Sequence, residues 1–416
     1  MRMDMKSVCI GQMRLRNRIR NMTLKVSVVG GCGHVGLPLA MALSDKGCDV
    51  ISYDINPHAV DMVNSGQMPF LEPDSGPVLA RILDRGTFRA STDPTVISES
   101  DILIVVVGTP VDEHLNPDAE AVPNAVAALK NYLRPGQLLV LRSTVYPGVT
   151  RLVERRLADL GVDIDIAFCP ERIAEGKAFT ELYSLPQIVS GCSAAAVSRA
   201  SELFAMLTSQ IVETTPEEAE LAKLFTNTWR YIKFAAANQF YMIANDYGID
   251  FHKVRHAITF DYPRAVDMPG PGFAAGPCLF KDTMQLAAFN NNNFTLGHAS
   301  MMVNEGLPLY MVSKMEERWN LAELRVGILG MAFKSESDDI RSSLSYKLRR
   351  ILKFKARGVL CTDEYVSDDD SLLPLEKVIA ESDVLVIGAP HNKYRTLTID
   401  KPVIDVWNLL GNGSVV

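Results

Sequence analysis

The sequence predicts an α/β protein with two parallel-sheet domains that are joined by a central helical domain containing one long helix. Short runs rich in Val, Ile and Leu, each followed by a turn and a helical pattern, occupy the first half of the chain and return in its last third. The series Glu-Ser-Asp, apolar strand and Gly-x-Pro occurs in both regions, at residues 99–110 and 381–390. Between them, a helical pattern begins at Pro216 and continues to about Tyr247. We therefore expect two Rossmann-like domains flanking the helices.

Length, charge and cysteine usage limit what kind of protein this can be. At 416 residues the chain is too long for one hydrophobic core, so we expect domains at residues 24–212, 213–320 and 321–416, behind a poorly ordered extension, residues 1–23. The net charge of −7 argues against nucleic acid as a partner. No apolar run approaches the roughly 20 residues that cross a bilayer, so no membrane association is expected. The seven cysteines are odd in number and form no CxxC pair, which predicts no disulfide framework, no metal site and a reducing cytoplasm.

The first domain begins with the elements of a dinucleotide-binding site. A strand at residues 24–29 leads into a glycine-rich turn and a helical pattern, and a second strand at residues 49–53 ends in Asp54. The glycines of this turn are Gly31, Gly33 and Gly36. They permit the tight turn and the close approach of a pyrophosphate, which the N–H groups of the helix N-terminus attract. An acid at Asp54 suits a ribose 2′-hydroxyl and repels a 2′-phosphate, so we predict NAD as the cofactor rather than NADP.

Two further apolar strands end in hydroxyl side chains. The strand at residues 101–107 is followed by Thr109, and the strand at residues 138–141 is followed by Thr144. Ligands of open α/β sheets collect at the carboxyl ends of the strands, so both threonines are expected to face the cofactor. A simple role in turn formation explains each of them equally well.

The central helix has an N-terminal signal and a polar face. Residues 215–218 have the order of an N-cap, an N1 proline and the N3 glutamate of a capping box. Lys223, Asn227 and Arg230 follow at helical spacing and share one face. A single lysine in an apolar helix usually reaches solvent, but three polar residues on one face favour a site. Long apolar helices between sheet domains are common dimer surfaces, so we expect a homodimer or higher homo-oligomer through this helix.

A cysteine in a segment of small residues is the candidate nucleophile. The segment at residues 269–283 reads PGPGFAAGPCLFKDT and contains Cys278, followed by Lys281 and Asp282. Small residues let a substrate approach the sulfur, and a nearby cation favours the thiolate. A carboxylate one turn away could position a water. The alternative is a buried structural cysteine.

The last domain repeats the first without its glycine triplet. A strand at residues 324–329 leads to Gly330, and Asp338 is expected to open a helix that ends at Gly358. Because the glycine triplet is missing, we predict that this domain binds something other than NAD. Lys334 and Arg341 lie where they could bind a phosphate.

From about Leu24 to its end, the chain resembles the UDP-sugar 6-dehydrogenases, the group that includes UDP-glucose, UDP-N-acetylmannosamine and GDP-mannose dehydrogenases. The motifs that carry the resemblance are GGCGHVG, GTP, STVYPG, CPERIAEG, ELAKLFTNT, GFAAGPCLFKDT and GMAFKSESDDIR, in this order. The resemblance implies a four-electron oxidation of the sugar C6 alcohol to a carboxylate with two NAD in succession. Cys278 matches the nucleophile, which would form a thiohemiacetal and then a thioester.

The resemblance also implies roles for the other polar residues of the catalytic set. Lys223 and Asn227 match residues that stabilise the developing oxyanion, and Lys223 also matches an acid/base. Asp282 matches a carboxylate that assists water and proton movement. Thr144 and Glu171 match residues that hold a water at C6.

Binding residues carry over in the same way. The implied cofactor contacts are Gly31, Gly33, Val35, Gly36, Asp54, Thr109, Thr144, Lys281 and Arg341. The implied substrate contacts are Glu171, Arg172, Ile173, Lys223, Asn227, Arg230, Arg264 and Lys334. Lys334 matches a lysine that binds the nucleotide phosphates, and Arg264 matches an arginine that some members lend to the sugar pocket of the neighbouring subunit.

The motifs near the sugar resemble two branches of the family. Arg172-Ile173, Arg230 and the Tyr-Pro-Arg triplet that ends at Arg264 resemble the N-acetylhexosamine branch, whereas residues 278–283 resemble the glucose branch. We favour a UDP-N-acetylhexosamine over UDP-glucose. Two other functions remain open: a β-hydroxyacid dehydrogenase, which needs neither the cysteine nor the last domain, and a non-catalytic sensor of NAD and a nucleotide sugar.

Overall fold

The computed structural model describes residues 23–109 and 118–416, and the chain divides into two compact units. The first unit ends at Lys223 and the second continues from Leu224, so the division falls inside one long helix. The domains expected at residues 24–212, 213–320 and 321–416 remain a prediction. Of the extension expected at residues 1–23, all but Thr23 lies outside the described residues.

The first unit is built on an eight-stranded sheet within its described residues. The strands are β1 (Lys25–Val29), β2 (Asp49–Tyr53), β3 (Phe88–Ser91), β4 (Ile102–Val105), β5 (Leu138–Leu141), β6 (Asp165–Phe168), β7 (Gln187–Gly191) and β8 (Ile211–Thr214). Their order across the sheet is β3-β2-β1-β4-β5-β6-β7-β8, and the strand pairs are parallel except β6 with β7. Strands β2 and β5 have the bounds that the sequence predicts.

Helices cover this sheet on both faces. They are α1 (Gly36–Asp45), α2 (Pro57–Asn64), α3 (Ser75–Asp84), α4 (Ala121–Ala128), α5 (Val149–Asp159), α6 (Ala178–Ser184) and α7 (Ala194–Phe204). Ile102 and Ile104 of β4 lie in one hydrophobic cluster, while Leu103 and Val105 lie in another. Because alternate residues of a strand point to opposite faces, this central strand is buried on both sides, as its continuous apolar sequence predicts.

The second unit combines long helices with a four-stranded parallel sheet. Its helices are the second part of α8 (Pro216–Asp246), then α9 (Phe251–Thr259), α10 (Leu279–Phe289), α11 (Thr295–Arg318), α12 (Leu344–Lys355) and α13 (Leu375–Glu381). Its strands are β9 (Arg325–Leu329), β10 (Gly358–Thr362), β11 (Val384–Ile387) and β12 (Val403–Ile404), in the order β10-β9-β11-β12.

The capping box starts α8 as the sequence predicts. The peptide N–H of Thr215 donates to the carboxylate of Glu218 (2.9 Å), and the N–H of Glu218 donates to the hydroxyl of Thr215 (3.4 Å). The helix then runs from Pro216 to Asp246, and Gly248 follows it with a φ of +67°. Reciprocal capping satisfies two N–H groups that would otherwise have no helical partner.

The internal repeat of the sequence corresponds to a repeated structure. In each unit the apolar strand of the repeat, β4 or β11, pairs in parallel with the first strand of its sheet. Asp101, just before β4, accepts the N–H of Lys25 (3.2 Å), and Asp383, just before β11, accepts the N–H of Arg325 (2.7 Å). The Glu-Ser-Asp signature therefore fixes the start of the first strand in both sheets.

One helix prediction was wrong in its starting point. The helix expected to open at Asp338 begins at Leu344, and residues 338–343 form an irregular segment. Ser342 has a φ of +54°, which interrupts any right-handed helix, and Ser343 provides the N-cap through its hydroxyl and the N–H of Ser345 (3.3 Å).

A helix that crosses a bilayer needs roughly 20 predominantly apolar residues. No helix within residues 23–109 and 118–416 is both long enough and apolar enough to span a membrane.

Candidate active site

The turn between β1 and α1 has the shape of a diphosphate cradle. A Cβ at Gly36 would collide with the carbonyl oxygen of Gly30, and a Cβ at Gly31 would lie 2.6 Å from the carbonyl oxygen of Val28. A Cβ at Gly33 would instead lie 3.6 Å from the carbonyl oxygen of Gly30, which is an ordinary van der Waals distance. The outer glycines thus let the backbone close on itself, and the space beside Gly33 stays open for a ligand.

Asp54 lies beside this turn with acceptor capacity to spare. Its carboxylate accepts the N–H of Cys32 (3.0 Å) and the N–H of Asn56 (3.0 Å), and the side chain is half-buried. A carboxylate can accept about four hydrogen bonds, so two ribose hydroxyls could still be bound. The turn, the open space at Gly33 and Asp54 together fit the diphosphate and ribose of NAD. Val35, immediately before α1, is half-buried.

The two threonines at the strand ends are half-buried, and the segment that carries Thr144 is anchored on either side. Ser143 exchanges two hydrogen bonds with the backbone of Val107 (2.8 and 2.9 Å). This contact ties the segment after β5 to the segment after β4, which leads to Thr109. Both predicted cofactor contacts therefore stand on adjoining strand ends.

Glu220 of α8 anchors the other side of the Thr144 segment. Its buried carboxylate accepts the N–H of Gly148 (2.6 Å), and both the N–H (2.8 Å) and hydroxyl (2.6 Å) of Thr150 at the start of α5. Burial raises the pKa of Glu220 despite these donors. Sequence reasoning missed this residue, although its position one helical turn before Lys223 was a usable signal. Lys223 itself is half-buried.

Glu171, which follows β6, forms a buried ion pair with Arg142, which follows β5. The second carboxylate oxygen accepts the N–H of Arg172 (2.7 Å) and that of Ile173 (2.9 Å). Burial by itself would raise the pKa of Glu171, but the charge and hydrogen bond of Arg142 outweigh it and hold this pKa below its ordinary value. Sequence reasoning missed Arg142 as the partner. Arg172 donates to the carbonyl of Pro186, and the side chains of Arg172 and Ile173 are half-buried.

In the second unit, Cys278 is exposed and immediately precedes α10. The alternative of a buried structural cysteine is therefore wrong. A helix N-terminus favours a negative charge, which suits a thiolate. Burial raises the pKa of the other described cysteines, to about 12 for Cys32, Cys169 and Cys192 and about 11 for Cys48 and Cys361. Among the cysteines that the structure describes, Cys278 is the one with the surroundings of a nucleophile.

A buried polar pair lies one turn beyond Cys278. Asn227 of α8 donates from its amide to Oδ2 of Asp282 (2.6 Å), and both side chains are buried. Oδ1 of Asp282 lies 3.5 Å from Nζ of Lys281, and no donor within residues 23–109 and 118–416 forms a hydrogen bond to it. A buried carboxylate oxygen without a donor is well suited to bind a water or a substrate hydroxyl. The structure thus brings together Asn227, Asp282 and Lys281 close to Cys278.

The segment before Cys278 is held rigidly by the second unit. The amide of Asn238 accepts the N–H of Gly272 (2.8 Å) and donates to its carbonyl (3.0 Å). Asn304 of α11 fixes this amide in turn (2.9 Å). Gly272 has a φ of +145°, and a Cβ there would collide with the ring of Trp407. Glycine is required at this position by both conformation and space.

The remaining predicted binding residues are distributed over the second unit. Arg341 is held by the carboxylate of Asp339 through its Nε (2.9 Å) and Nη2 (2.6 Å), and Lys334 is half-buried. Arg230 and Arg264 are exposed, and Nε of Arg264 donates to the hydroxyl of Tyr262 (2.7 Å).

The sequence is similar to those of known dehydrogenases along nearly the whole chain. The chain is 30% identical to the UDP-N-acetyl-D-mannosamine dehydrogenase of Pyrococcus horikoshii, over 90% of this chain and 91% of that protein. It is 29% identical to the enzyme of the same name from Escherichia coli K12, over 90% of this chain and 95% of that protein.

Solved structures of similar proteins have the same fold. The UDP-D-ManNAc dehydrogenase of Pyrococcus horikoshii superposes with a TM-score of 0.87 at 28% identity, covering 94% of this chain and 97% of that one. A UDP-glucose dehydrogenase from Pyrobaculum islandicum gives a TM-score of 0.86 at 27% identity, covering 92% and 94%. The two Rossmann-like sheets and the intervening helices that the sequence predicts are confirmed.

Three family models match consecutive parts of the chain. They describe the UDP-glucose/GDP-mannose dehydrogenase family: its NAD binding domain matches residues 24–208, its central domain residues 217–305 and its UDP binding domain residues 327–412. The predictions of NAD as the cofactor, of an oxidoreductase and of a UDP-sugar as the substrate are thereby confirmed. The chain belongs to the UDP-glucose/GDP-mannose dehydrogenase family and is an NAD-dependent nucleotide-sugar dehydrogenase.

Proposed function

We propose that this protein oxidises the C6 alcohol of a UDP-N-acetylhexosamine to the carboxylate, with two NAD consumed for each sugar and Cys278 as the nucleophile. The observation that carries the proposal is the exposed Cys278 at the start of α10, one turn before the buried pair of Asn227 and Asp282. NAD supplies the acceptor for both hydrides.

The first oxidation needs a group that takes the hydroxyl proton and one that stabilises negative charge on the C6 oxygen. We propose that Lys223 accepts the proton of the C6 hydroxyl, and that Lys223 and Asn227 stabilise the negative charge on the C6 oxygen. Asn227 uses one amide N–H on Asp282, so the other is available for the substrate oxygen. The alcohol loses a hydride from carbon and a proton from oxygen, and becomes the aldehyde.

The second oxidation passes through a covalent bond to sulfur. The thiolate of Cys278 adds to the aldehyde carbon, and the oxygen takes up a proton to give the thiohemiacetal. Loss of a second hydride and of that proton gives a thioester. Water then attacks the thioester carbon, the thiolate leaves, and the sugar carboxylate is released.

Water activation falls to the acidic residues and Thr144 in this scheme. Oδ1 of Asp282, which receives no hydrogen bond within the described residues, can accept a proton from water. Glu171 accepts three donors, which leaves capacity for one more, and we assign it together with Thr144 to holding the water.

The last domain and the relatives support this choice of substrate. Lys334 and Arg341 lie within the matched UDP binding domain, and we assign Lys334 to the diphosphate and Arg341 to a contact with NAD. Two groups of similar proteins are named for N-acetylated sugars, the UDP-N-acetyl-D-mannosamine dehydrogenases and an NDP-N-acetyl-D-galactosaminuronic acid dehydrogenase from Ralstonia solanacearum. Arg172, Ile173, Arg230 and Arg264 are the proposed sugar-side residues.

We further propose a cytoplasmic homodimer that forms through α8. Four large apolar side chains on this helix are exposed and recur every three, four or eleven residues: Phe225, Trp229, Phe240 and Ile243. Such spacing places them along one side of the helix. The cysteines are odd in number and form no CxxC pair, which supports a reducing compartment. Arg264 is exposed and available to a second subunit.

The decisive experiment is stoichiometry with a panel of UDP-, GDP- and TDP-sugars. We expect two NADH for each molecule of UDP-N-acetylhexosamine and loss of uronate formation in Cys278→Ser. One NADH for each turnover would contradict the four-electron scheme and would favour a hydroxyacid-type dehydrogenase. Binding of sugars without any turnover across the panel would point to a sensor instead.

A further inference from the structure

The segment that carries Lys334, residues 331–343, is anchored at its back by a buried histidine–aspartate pair. Asp363, directly after β10, accepts hydrogen bonds from the first two N–H groups of this segment (2.6 and 2.9 Å) and from Nε2 of His391 (3.0 Å). Nδ1 of His391 accepts the N–H of Glu336 (2.9 Å), so the ring proton is on Nε2 and points at Asp363. Both His391 and Asp363 are buried.

Comparison of the two sheets shows that Asp363 has a different task from Asp54. Each aspartate follows the second strand of its sheet and accepts N–H groups from the turn after the first strand. Asp54 accepts two N–H groups, whereas Asp363 accepts three N–H groups and the ring of His391. The acceptor capacity that Asp54 keeps for a ribose is filled in Asp363 by the N–H of Tyr365 and the ring of His391.

The front of the Lys334 segment contacts the segment that contains the nucleophile. A Cβ built at Gly276 would lie 2.6 and 2.7 Å from two atoms of the Phe333 ring. The N–H of Gly276 also donates to the carbonyl of Ser342 (3.4 Å). Gly276 has a φ of +100° and stands two residues before Cys278. The bare Cα of this glycine therefore lets Phe333 press directly on the backbone that leads to the thiol.

The same phenyl ring contacts the residue assigned to the diphosphate. Nζ of Lys334 lies 5.3 Å from the centroid of the Phe333 ring, within the range of a cation–π interaction. An anion that attracts the Lys334 ammonium therefore also affects the Phe333 ring, which is packed against Gly276. The back of the segment is held in addition by Glu336, which accepts the N–H of Asn392 (2.7 Å).

We propose that Phe333 is a positioning residue that couples binding of the nucleotide diphosphate at Lys334 to the placement of the Cys278 thiol. The coupling rests on the proposed function, in which Lys334 binds the diphosphate and Cys278 is the nucleophile. Through this coupling, binding of the nucleotide places the Cys278 thiol correctly for attack.

The test uses UDP alone, which carries the diphosphate but no sugar to cover the thiol. We expect saturating UDP to change the rate of alkylation of Cys278 by iodoacetamide at least about fivefold in the wild type, measured by mass spectrometry of the Cys278 peptide. Half-buried Cys192 serves as the internal reference. In Phe333→Leu, we expect the Kd for UDP to change by no more than about fivefold, the alkylation response to disappear and kcat to fall by about tenfold or more. Phe354→Leu, at an exposed position of α12, is the matched control.

A second variant approaches the contact from the other side and keeps the test valid if Phe333→Leu is unstable. Gly276→Ala adds a methyl group against the ring, and we expect the same loss of kcat with UDP affinity retained. Combined with Phe333→Leu, its effect should be less than additive, because the smaller side chain leaves room for the methyl group, although the backbone strain of an alanine at a φ of +100° remains in both variants. The proposal is overturned if UDP does not alter alkylation in the wild type, or if Phe333→Leu weakens UDP binding and leaves kcat unchanged. Failure of the proposed function is recognised separately, from the absence of two NADH for each sugar.

Discussion

At the residue scale, the pair of Arg142 and Glu171 shows how the first unit keeps a charged carboxylate inside. Both side chains are buried, and the charge of Arg142 compensates for the removal of Glu171 from water. A buried pair of this kind adds little net stability, but the loss of one partner leaves an uncompensated charge. Glu171 should therefore depend on Arg142 to remain ionised.

This dependence predicts a pH-sensitive loss of stability in Arg142→Met. Near neutral pH we expect unfolding free energy to fall by about 3–5 kcal/mol, because Glu171 stays buried without its partner. Because the folded-state pKa of Glu171 is lowered, its ionisation favours the folded state above the unfolded-state pKa of about 4.3, and this contribution is lost as the pH falls through the lower folded-state value. In the variant, burial without Arg142 raises the pKa of Glu171, so protonation at lower pH removes the uncompensated buried charge. The difference between the two proteins in urea unfolding should shrink from pH 7 towards pH 4, and a difference that does not change with pH would contradict the assignment.

At the scale of elements, the helices α5 and α8 are joined by two carboxylates of α8 in different surroundings. Glu220 is buried and binds the N-terminus of α5, while Glu217 is half exposed and pairs with Arg151 of α5 (3.0 Å). The buried contact also fixes the segment that leads from Thr144 to α5. Glu217 and Glu220 are three positions apart on α8, so a substitution of Glu217 is the control for the same substitution of Glu220.

We predict that Glu220→Gln destabilises the protein by about 1–3 kcal/mol, because its NH2 group would face backbone N–H donors that need an acceptor. Glu217→Gln should cost less than about 1 kcal/mol, as expected for a surface ion pair. Thermal unfolding measures both. If Glu220 also positions Thr144, its variant should lose kcat while KM for the sugar nucleotide is retained. Equal effects of the two substitutions would contradict this role.

The same elements show which parts of the fold were readable in the sequence. The start of α8 was predicted correctly because its capping box is a local signal, complete within residues 215–218. The start of α12 was missed because residues 338–343 offer several Asp and Ser N-caps, and the choice depends on the left-handed Ser342. The partner of Glu171 lies 29 positions earlier in sequence, and only the adjacency of β5 and β6 brings it near. Local signals were therefore sufficient for elements, while side-chain pairing required the sheet order.

At the scale of the whole molecule, the exposed apolar side chains of α8 are the feature that a single chain leaves unexplained. Trp229 is 57% exposed and Phe225, Phe240 and Ile243 are about half exposed on the same helix. Soluble proteins rarely leave a contiguous apolar strip of this kind in water unless another molecule covers it. A second copy of the chain is the partner that we propose.

Trp229→Glu should therefore weaken self-association. A glutamate placed in the covered strip would be buried without a partner, which costs about 3 kcal/mol or more and raises the dimer dissociation constant roughly a hundredfold. Sedimentation velocity across a concentration series should show a dimer for the wild type and a shift towards monomer for the variant. Phe354→Glu is the matched control, because Phe354 is 87% exposed on α12, away from the strip in sequence and on a different helix. A wild-type protein that sediments as a monomer, or a Trp229→Glu variant that remains a dimer, would show that α8 is not the interface.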